Sequence, residues 1–334
     1  MNSEILSLTI AQAYKTYPFL DDFFLSCAIQ PPVKTDMRTF EQWLEDLEYF
    51  TLDEIGLDRD ELPGLLERFI IRMLERCSGE QLNVESITIM SGCDKDGNPE
   101  VPELTLKKGD VVSIVGATGS GKSRLLSDIE WLAQGDTPTK RRVLINGQIP
   151  PQSLRFSIDK KPVAQLSQTM NFVMDITVEK FLHIHCDSHM IKDKDKKAKE
   201  ILRAANLLSG EALKMDMPVT SLSGGQSRAL MIADTAYIST APIVVIDEIE
   251  NAGINRKNAI ELLLKAEKIV LMATHDPVLA LQADRRIVIK NGGIQRVIKT
   301  TDGERAVLAK LEIMNEKLMQ CREHMRAGEL IESI

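Results

Sequence analysis

The sequence predicts an α/β fold built on buried strands, preceded by a small helical module. Continuous apolar runs, which are typical of strands buried on both faces, occur at Val111–Val115, Ile243–Ile246 and Ile269–Ala273. A glycine-rich turn follows the first run and leads into a helical pattern, as expected when a strand, a loop and a helix alternate. A further run, Arg286–Lys290, continues through a glycine turn into residues 294–298 and predicts a hairpin.

The overall composition is that of a globular protein and argues against several classes of function. Of the 334 residues, 43% are hydrophobic and 27% are charged, but no apolar run approaches the ~20 residues that span a bilayer. Five cysteines without a CxxC pair, and an N-terminus without a signal-peptide pattern, predict a reducing, cytoplasmic environment. A net charge of −8 disfavours a nucleic-acid partner, since phosphate backbones are bound by basic surfaces.

Negative charge and aromatic residues are concentrated in the first 83 residues. This stretch holds 16 acidic and 7 basic side chains, a local charge of −9, and 10 of the 15 aromatic residues. We therefore predict an acidic, aromatic-rich helical module (residues 1–83), a main domain (84–300) and a C-terminal helix (301–334). The module either presents an acidic, aromatic surface to a partner or covers one side of the main domain, and the sequence leaves both open.

The glycine-rich turn has the residue pattern of a phosphate-binding loop. It matches GxxxxGK[ST] in full, with a strand before it and a helical pattern, Ser123–Ala133, after it. Glycines let backbone N–H groups converge on phosphate oxygens, Lys122 adds a mobile cation, and the Ser123 hydroxyl is a ligand for Mg²⁺. The predicted phosphate-binding residues are Gly116, Ala117, Thr118, Gly119, Ser120, Gly121, Lys122, Ser123 and Arg124.

A pair of acidic residues follows the second apolar run. Asp247 would lie at the carboxyl end of a strand beside the loop, where it can hold Mg²⁺. Glu248 is then placed to polarise an attacking water molecule. An acidic pair after an apolar run is weak evidence for a nucleotide site on its own, but it is strong evidence in a chain that also has a phosphate-binding loop.

A second helix start also has the features of a phosphate site. Ser223 and Gln226 form a capping box at the start of a helix, whose exposed N–H groups and dipole favour an anion. The predicted residues of this second site are Ser223, Gly224, Gly225 and Gln226. Two phosphate sites in one chain are explained if each nucleotide lies between two copies, one copy giving the first site and the other giving the second.

Together these motifs make residues 84–300 resemble the ATP-binding cassette (ABC) ATPase family, in which they occur in the same order and at similar spacings. The resemblance implies a P-loop NTPase of ABC type, with a RecA-like core and a helical subdomain, that binds ATP and Mg²⁺. It also implies a head-to-tail homodimer that closes on two MgATP molecules and reopens after hydrolysis. By the same resemblance, Gln168 senses Mg²⁺ and the partner, and His275 binds the γ-phosphate. The implied catalytic residues are Glu248, His275 and Gln168, and the implied Mg²⁺ ligands are Ser123, Gln168 and Asp247.

The sequence departs from the family pattern at three places, one of which is the run Gln226-Ser227-Arg228-Ala229, where the position of an arginine that commonly follows the signature varies. Glu248 is followed by Ile249–Ile254 instead of the transporter pattern P-T-S-A-L-D, so that Ile254 occupies the position of a family aspartate. No aromatic residue occurs between Val84 and Val115, where family members often carry a ring that stacks on adenine.

These departures, with the N-terminal module, favour an ATP-switched dimer that acts on a soluble protein partner. The partner would be contacted through residues 1–83 and the helical subdomain. The alternative is the ATP-hydrolysing subunit of a multi-chain transporter, bound to a membrane permease. A regulatory nucleotide sensor with low turnover is a further alternative, which the presence of Glu248 and His275 disfavours.

Two smaller patterns have more than one interpretation. A cluster within seven residues forms either a metal site or, as we favour, a polar surface that faces a partner. An apolar heptad stripe in the last helix either packs on its own domain, as we favour, or contacts a dimer mate or partner. The cluster comprises His183, His185, Cys186 and His189, and the stripe comprises Val307, Leu311, Met314, Leu318, Cys321 and Met325.

Overall fold

The computed structural model describes residues 7–17, 19–27, 29–46, 61–77, 83–100, 103–156, 161–167, 172–189, 191, 193–248 and 254–330. The chain forms two compact units, an N-terminal unit (Met1–Gln81) and a main unit (Leu82–Ile334). None of the helices described combines the length and the apolarity needed to cross a membrane.

The N-terminal unit is helical where it is described, and two of its helices begin at capping boxes. Thr9 and Thr39 each accept a hydrogen bond from the backbone N–H three residues on, and the Gln12 and Gln42 side chains complete the boxes. The helices are α1 (Ile10–Thr16), α2 (Leu20–Ser26), α3 (Phe40–Glu45) and α4 (Leu62–Cys77).

Aromatic side chains form the core of this unit. Phe23, Phe24 and Phe40 are at most 2% exposed, and Phe24 stacks on Phe40 and meets Trp43 edge-on. Large rings that are buried this way supply the apolar area that a short helical unit needs to fold. Most of the described aromatic side chains therefore belong to the core of the unit, and Tyr17, Phe19 and Phe69 are half-buried against it. Tyr49 and Phe50 lie outside the described residues.

The described strands of the main unit form two sheets. They are β1 (Ser86–Met90), β2 (Leu104–Lys107), β3 (Val111–Val115), β4 (Arg142–Ile145), β5 (Val163–Leu166), β6 (Ile243–Asp247), β7 (Ile269–Ala273), β8 (Arg285–Lys290) and β9 (Gly293–Lys299). The smaller sheet is antiparallel, in the order β2-β1-β4. The larger sheet has the order β5-β6-β7-β3-β8-β9 and is parallel except for the pair β8 and β9.

Helices pack on both faces of the larger sheet. The helices described in the main unit are α5 (Lys122–Glu130), α6 (Gln152–Phe156), α7 (Val178–Ser188), α8 (Lys194–Leu208), α9 (Gly224–Tyr237), α10 (Arg256–Lys265), α11 (Pro277–Gln282) and α12 (Asp302–Ala327). Leu271 of β7 shares an apolar cluster with Leu125 of α5, whereas its neighbour Met272 shares another with Leu182 of α7 and Ala229 of α9. Successive residues of a strand point to opposite faces, so the continuous apolar run of β7 is explained by burial on both sides.

The predicted α/β fold is confirmed, and the differences lie in short elements and element ends. β6 extends to Asp247, and β8 and β9 form the predicted hairpin. The helix predicted over Ser123–Ala133 ends earlier, at Glu130, because Leu132 has a left-handed backbone with φ of 47°. The smaller sheet was not predicted, since its strands have only four or five residues and mix polar with apolar side chains.

The C-terminal helix α12 does not pack through its heptad stripe. Glu304 pairs with Arg286 of β8, and Gln282 donates to Glu312, so the side of α12 that carries these glutamates faces β8 and α11. The exposed stripe residues, between 48% and 67% accessible, are Val307, Met314, Leu318 and Met325. The prediction that the stripe packs on its own domain is therefore wrong for these four residues; Leu311 and Cys321 are half-buried.

Candidate functional site

Three neighbouring strands bring the predicted chemical groups to one edge of the larger sheet. β7 is parallel to both β3 and β6, with Ile114 opposite Ala273 and Asp247 opposite the same Ala273. The loop that follows β3, the acidic pair that follows β6 and His275 after β7 therefore emerge together. Ligands of parallel α/β sheets bind at this carboxyl edge.

The loop between β3 and α5 has backbone conformations and crowding that require glycine. Gly119 and Gly121 have φ of +76° and +109°, in the left-handed region. A Cβ added to Gly121 would lie 2.8 Å from Gly292 Cα, and one added to Gly116 would lie 2.5 Å from Ile289 O. The glycines therefore permit a close fold of the loop against the β8–β9 hairpin.

Lys122 and the exposed loop residues have the arrangement expected around a polyphosphate. The Lys122 ammonium donates to Gly116 O at 2.8 Å and to Ala117 O at 3.3 Å, and the residue is only 9% exposed. Thr118 is exposed, whereas Ser120 is buried. Arg124, at the start of α5, pairs with Asp128 at 3.6 Å.

Two of the three residues predicted to hold Mg²⁺, Ser123 and Asp247, are in contact and fit that ion. Ser123 Oγ donates to Asp247 Oδ2 at 3.1 Å, although 124 residues separate the two in sequence. A hydroxyl beside a carboxylate at a strand end is an oxygen donor set of the kind that Mg²⁺ accepts. The third predicted ligand, Gln168, lies outside the described residues; the strand that precedes it, β5, pairs with β6.

Glu248 and His275 follow adjacent strands at the same edge. The Glu248 N–H donates to Ala273 O at 3.1 Å, and the residue has a φ of +49°, which is uncommon for a side chain other than Gly, Asn or Asp. Backbone strain of this kind is concentrated at functional sites. His275 is exposed, and the preceding Thr274 donates its N–H to Ile114 O at 3.1 Å, which fixes the start of the turn.

The second predicted phosphate site forms the first turn of α9. Ser223 Oγ accepts from Gln226 N at 3.3 Å, and the Gln226 side chain accepts from Ser223 N at 2.9 Å, so the capping box is present. Ser223 and Gly224 are exposed, and a Cβ added to Gly224 would meet nothing within 4 Å. Gly225 is half-buried. The helix start is open to an approaching group.

The segment that departs from the family pattern is described only at its end. Residues 249–253 lie outside the described residues. Ile254 is half-buried and packs against an apolar cluster that includes Met272 of β7, and its backbone forms an isolated β-bridge with Ser209. The side chain at the position of the family aspartate therefore has a packing role.

The histidine cluster is divided between two ion pairs. His183 pairs with Asp195 at 3.1 Å, and His185 pairs with Asp234 of α9 at 2.9 Å. Cys186 is buried, and burial raises the pKa of its thiol. Among the described residues, no group of three or more His, Cys, Asp or Glu side chains has an arrangement that could hold a metal ion.

Sequence reasoning missed a buried cation next to the loop. Arg141 is fully buried and donates to Asp128 of α5 at 2.8 Å, to Gly292 O at 2.8 Å and to Glu100. In the sequence, Arg141 stands between Lys140 and Arg142, and a run of basic residues is typical of a solvated surface. Only the fold brings its partners together.

Comparisons with known proteins agree with this geometry. A family profile described as ABC transporter matches residues 100–251. An uncharacterised ABC transporter ATP-binding protein of Methanocaldococcus jannaschii is 53% identical over 249 residues, which cover 74% of this chain and 95% of that protein. A macrolide export ATP-binding/permease protein of Bartonella henselae is 26% identical over 235 residues, which cover 65% of this chain and 34% of that protein.

A solved structure shows the same fold. An ATP-binding subunit of an ABC transporter matches with a TM-score of 0.50 and 18% identity, over 66% of this chain and 92% of that chain. The macrolide export protein, by contrast, is matched over about one third of its length, so most of that protein has no counterpart in the alignment.

Proposed function

Since this chain belongs to the ATP-binding cassette (ABC) ATPase family, we propose that it binds MgATP and hydrolyses it to ADP and phosphate. The observation that carries the proposal is the contact of Ser123 with Asp247 beside a complete phosphate-binding loop. ATP hydrolysis is the general activity of the family, and this contact brings a hydroxyl and a carboxylate together beside the loop.

We assign one or more residues to each part of the chemistry. Backbone N–H groups of the loop and the Lys122 ammonium bind the phosphates. Ser123 and Asp247 would hold Mg²⁺, which offsets negative charge on the phosphate oxygens when it is bound. Glu248 accepts a proton from the water that attacks the γ-phosphorus, and the bond to the ADP oxygen breaks. His275 donates to the γ-phosphate, and Gln168 contributes from the segment after β5.

The catalytic unit is a head-to-tail homodimer. In one copy the start of α9, with Ser223 exposed, would complete the nucleotide site of the other. This assignment is supported by the open space around Gly224, since a helix start closed by its own chain could not receive a phosphate from a second copy.

We infer that the partner is a membrane permease and that the ATPase acts on its cytoplasmic side as a transporter subunit. The support is the description of the Methanocaldococcus jannaschii relative as an ABC transporter ATP-binding protein. The sequence-based preference for a soluble partner has no support from the comparisons. It remains a second candidate because of the N-terminal unit and because Ile254 packs where transporters have an aspartate.

The ATPase proposal is tested with purified protein and Lys122→Ala. We expect Mg²⁺-dependent release of phosphate, reduced at least ~100-fold by this substitution, because the cation that binds the transferred group is lost. Lys108→Ala is the matched control: Lys108 precedes the opposite end of β3 and pairs with Glu267 on the surface. Hydrolysis that is absent from the wild-type protein, or that survives Lys122→Ala, would overturn the proposal.

The partner is tested by affinity capture from native membranes and cytosol, with and without ATP. Recovery of an integral membrane protein whose association depends on ATP supports the transporter assignment. ATP-dependent recovery of a complex without a membrane protein would favour the second candidate.

A further inference from the structure

Two segments outside the phosphate-binding loop donate hydrogen bonds to carbonyls of the loop, and Lys95 and Gly119, which meet in one of these contacts, are both exposed. The Gly292 N–H, in the β8–β9 turn, donates to Ser120 O at 2.7 Å. The Lys95 ammonium, from the loop between β1 and β2, donates to Gly119 O at 3.3 Å. Two carbonyls of the loop thus have donors from outside it, and one of these donors is a cation.

The segment that carries Lys95 is held in place by its own contacts. Asp94 accepts hydrogen bonds from the backbone N–H groups of Asp96 and Asn98, at 2.9 and 2.8 Å, which close the turn. The Lys95 N–H donates to Asn291 O at 2.9 Å, and the Asn291 side chain donates to Asp96 at 2.7 Å. Lys95 is therefore positioned against the β8–β9 turn by main-chain as well as side-chain contacts.

The buried Arg141 connects the Lys95 segment and the β8–β9 turn with α5. Its guanidinium donates to Glu100, at the end of the Lys95 segment, to Asp128 of α5 and to Gly292 O. Both carboxylates are only 1% exposed. Charge-assisted hydrogen bonds between buried groups are strong and directional, so the three segments have a fixed relative position.

Lys95 places a positive charge beside a loop that binds negative charge. In a phosphate-binding loop the N–H groups converge on the ligand, so a cation at an outward carbonyl increases the polarisation of the loop and the positive potential around it. The contact involves the part of the nucleotide site that binds phosphate. No aromatic residue occurs between Val84 and Val115, so this flank of the site offers a charge instead of a ring for stacking.

We propose that Lys95 is a positioning residue that raises the affinity of the phosphate-binding loop for nucleoside triphosphates irrespective of the base. The proposal rests on the proposed nucleotide-binding function, and it assigns a role to a residue outside the loop motif. Removal of the charge should weaken binding of ATP and GTP by the same factor and leave the chemical step unchanged.

The test compares Lys95→Met, which keeps the length of the side chain without its charge, with Lys95→Arg in the full-length protein. Because the contact is exposed, its loss predicts a rise in KM of about three- to fivefold for both ATP and GTP, with kcat within about twofold of wild type. Lys95→Arg should recover most of the affinity. Lys108→Met, at the other end of β3, should change neither quantity.

A second readout does not depend on turnover. Calorimetric titration with ADP should show the same loss of affinity for Lys95→Met, and the melting temperature without nucleotide should stay close to that of Lys108→Met. A KM that changes less than twofold, a loss of affinity confined to ATP, or a fall in kcat with unchanged KM would overturn the proposal.

If Lys95→Met is neutral while Lys122→Ala abolishes hydrolysis, the role of Lys95 fails and the ATPase assignment stands. A wild-type protein that binds no nucleotide overturns both.

Discussion

Gly121 combines a left-handed backbone with close packing against the β8–β9 turn. Its φ of +109° is unfavourable for any side chain, and a Cβ there would lie 2.8 Å from Gly292 Cα. Gly119 has a similar conformation, with φ of +76°, but open space around it. A comparison of substitutions at the two positions therefore distinguishes the cost of backbone strain, present at both, from the cost of crowding, present only at Gly121.

We expect Gly121→Ala to lower the melting temperature more than Gly119→Ala does. Both variants incur the left-handed penalty of about 1–2 kcal/mol, whereas only Gly121→Ala adds a steric clash of about 1–3 kcal/mol. Thermal unfolding of both variants, with and without ATP, measures the difference. Equal shifts would mean that the hairpin moves away from the loop at no cost.

Residues of the site were predictable where a local pattern fixes their chemistry. The run from Gly116 to Ser123 can be identified from spacing alone, because strand, loop and helix follow each other directly in the chain, and the pair Asp247-Glu248 can be identified once that run is recognised. Arg141 and Lys95 could not be predicted. Their partners come from distant segments, and one basic residue among others in sequence gives no sign of burial or of contact with a loop.

At the scale of elements, α7 and α9 are joined by the pair of His185 and Asp234. Burial lowers the pKa of His185, but the hydrogen bond that its ring donates to Asp234 and the negative charge of Asp234 raise it more, so that the pKa lies above the usual value of 6.5. A folded-state pKa above the unfolded one means that protonation stabilises the fold. This contribution is complete below about pH 6.5 and is lost as the pH rises through the folded-state pKa.

His185→Gln should therefore remove part of the decrease in stability between pH 6 and pH 8.5. Melting temperatures at the two pH values measure it, as the difference between wild type and variant. His183→Gln is the matched control, because its partner Asp195 is largely exposed and surface pairs contribute little. The same pH dependence in His185→Gln as in wild type would contradict the assignment.

Elements were predictable in proportion to how strongly their environment constrains the sequence. β3, β6 and β7 are buried on both faces, which demands a continuous apolar run, and the predicted strands match them closely. The stripe of α12 illustrates the opposite case. Its heptad spacing is real, but spacing alone cannot indicate which face of a helix is covered, and the fold leaves most of the stripe exposed.

At the scale of the whole molecule, one copy of the chain provides two half-sites that belong to different nucleotides in the proposed dimer. Glu248 follows β6 beside the phosphate-binding loop, whereas Ser223 is exposed at the start of α9. The dimer would therefore be held together by ATP itself, and it would separate when hydrolysis removes the phosphate that bridges the two copies.

Glu248→Gln should convert this transient dimer into a stable one. The substitution removes the base that accepts a proton from water but keeps a side chain of the same size, so ATP is bound and not consumed. Sedimentation velocity with MgATP should show a species of twice the monomer mass of 37.3 kDa, and with ADP it should show the monomer.

Adding Ser223→Arg to Glu248→Gln should abolish the dimer while each copy still binds ATP, because the added side chain fills the space that the partner's nucleotide needs. Thr39→Arg, at the capping box that begins α3 of the N-terminal unit, controls for the loss of a helix cap and should leave the dimer intact. A monomeric Glu248→Gln with ATP bound, or a dimer that survives Ser223→Arg, would mean that the two half-sites do not meet across copies.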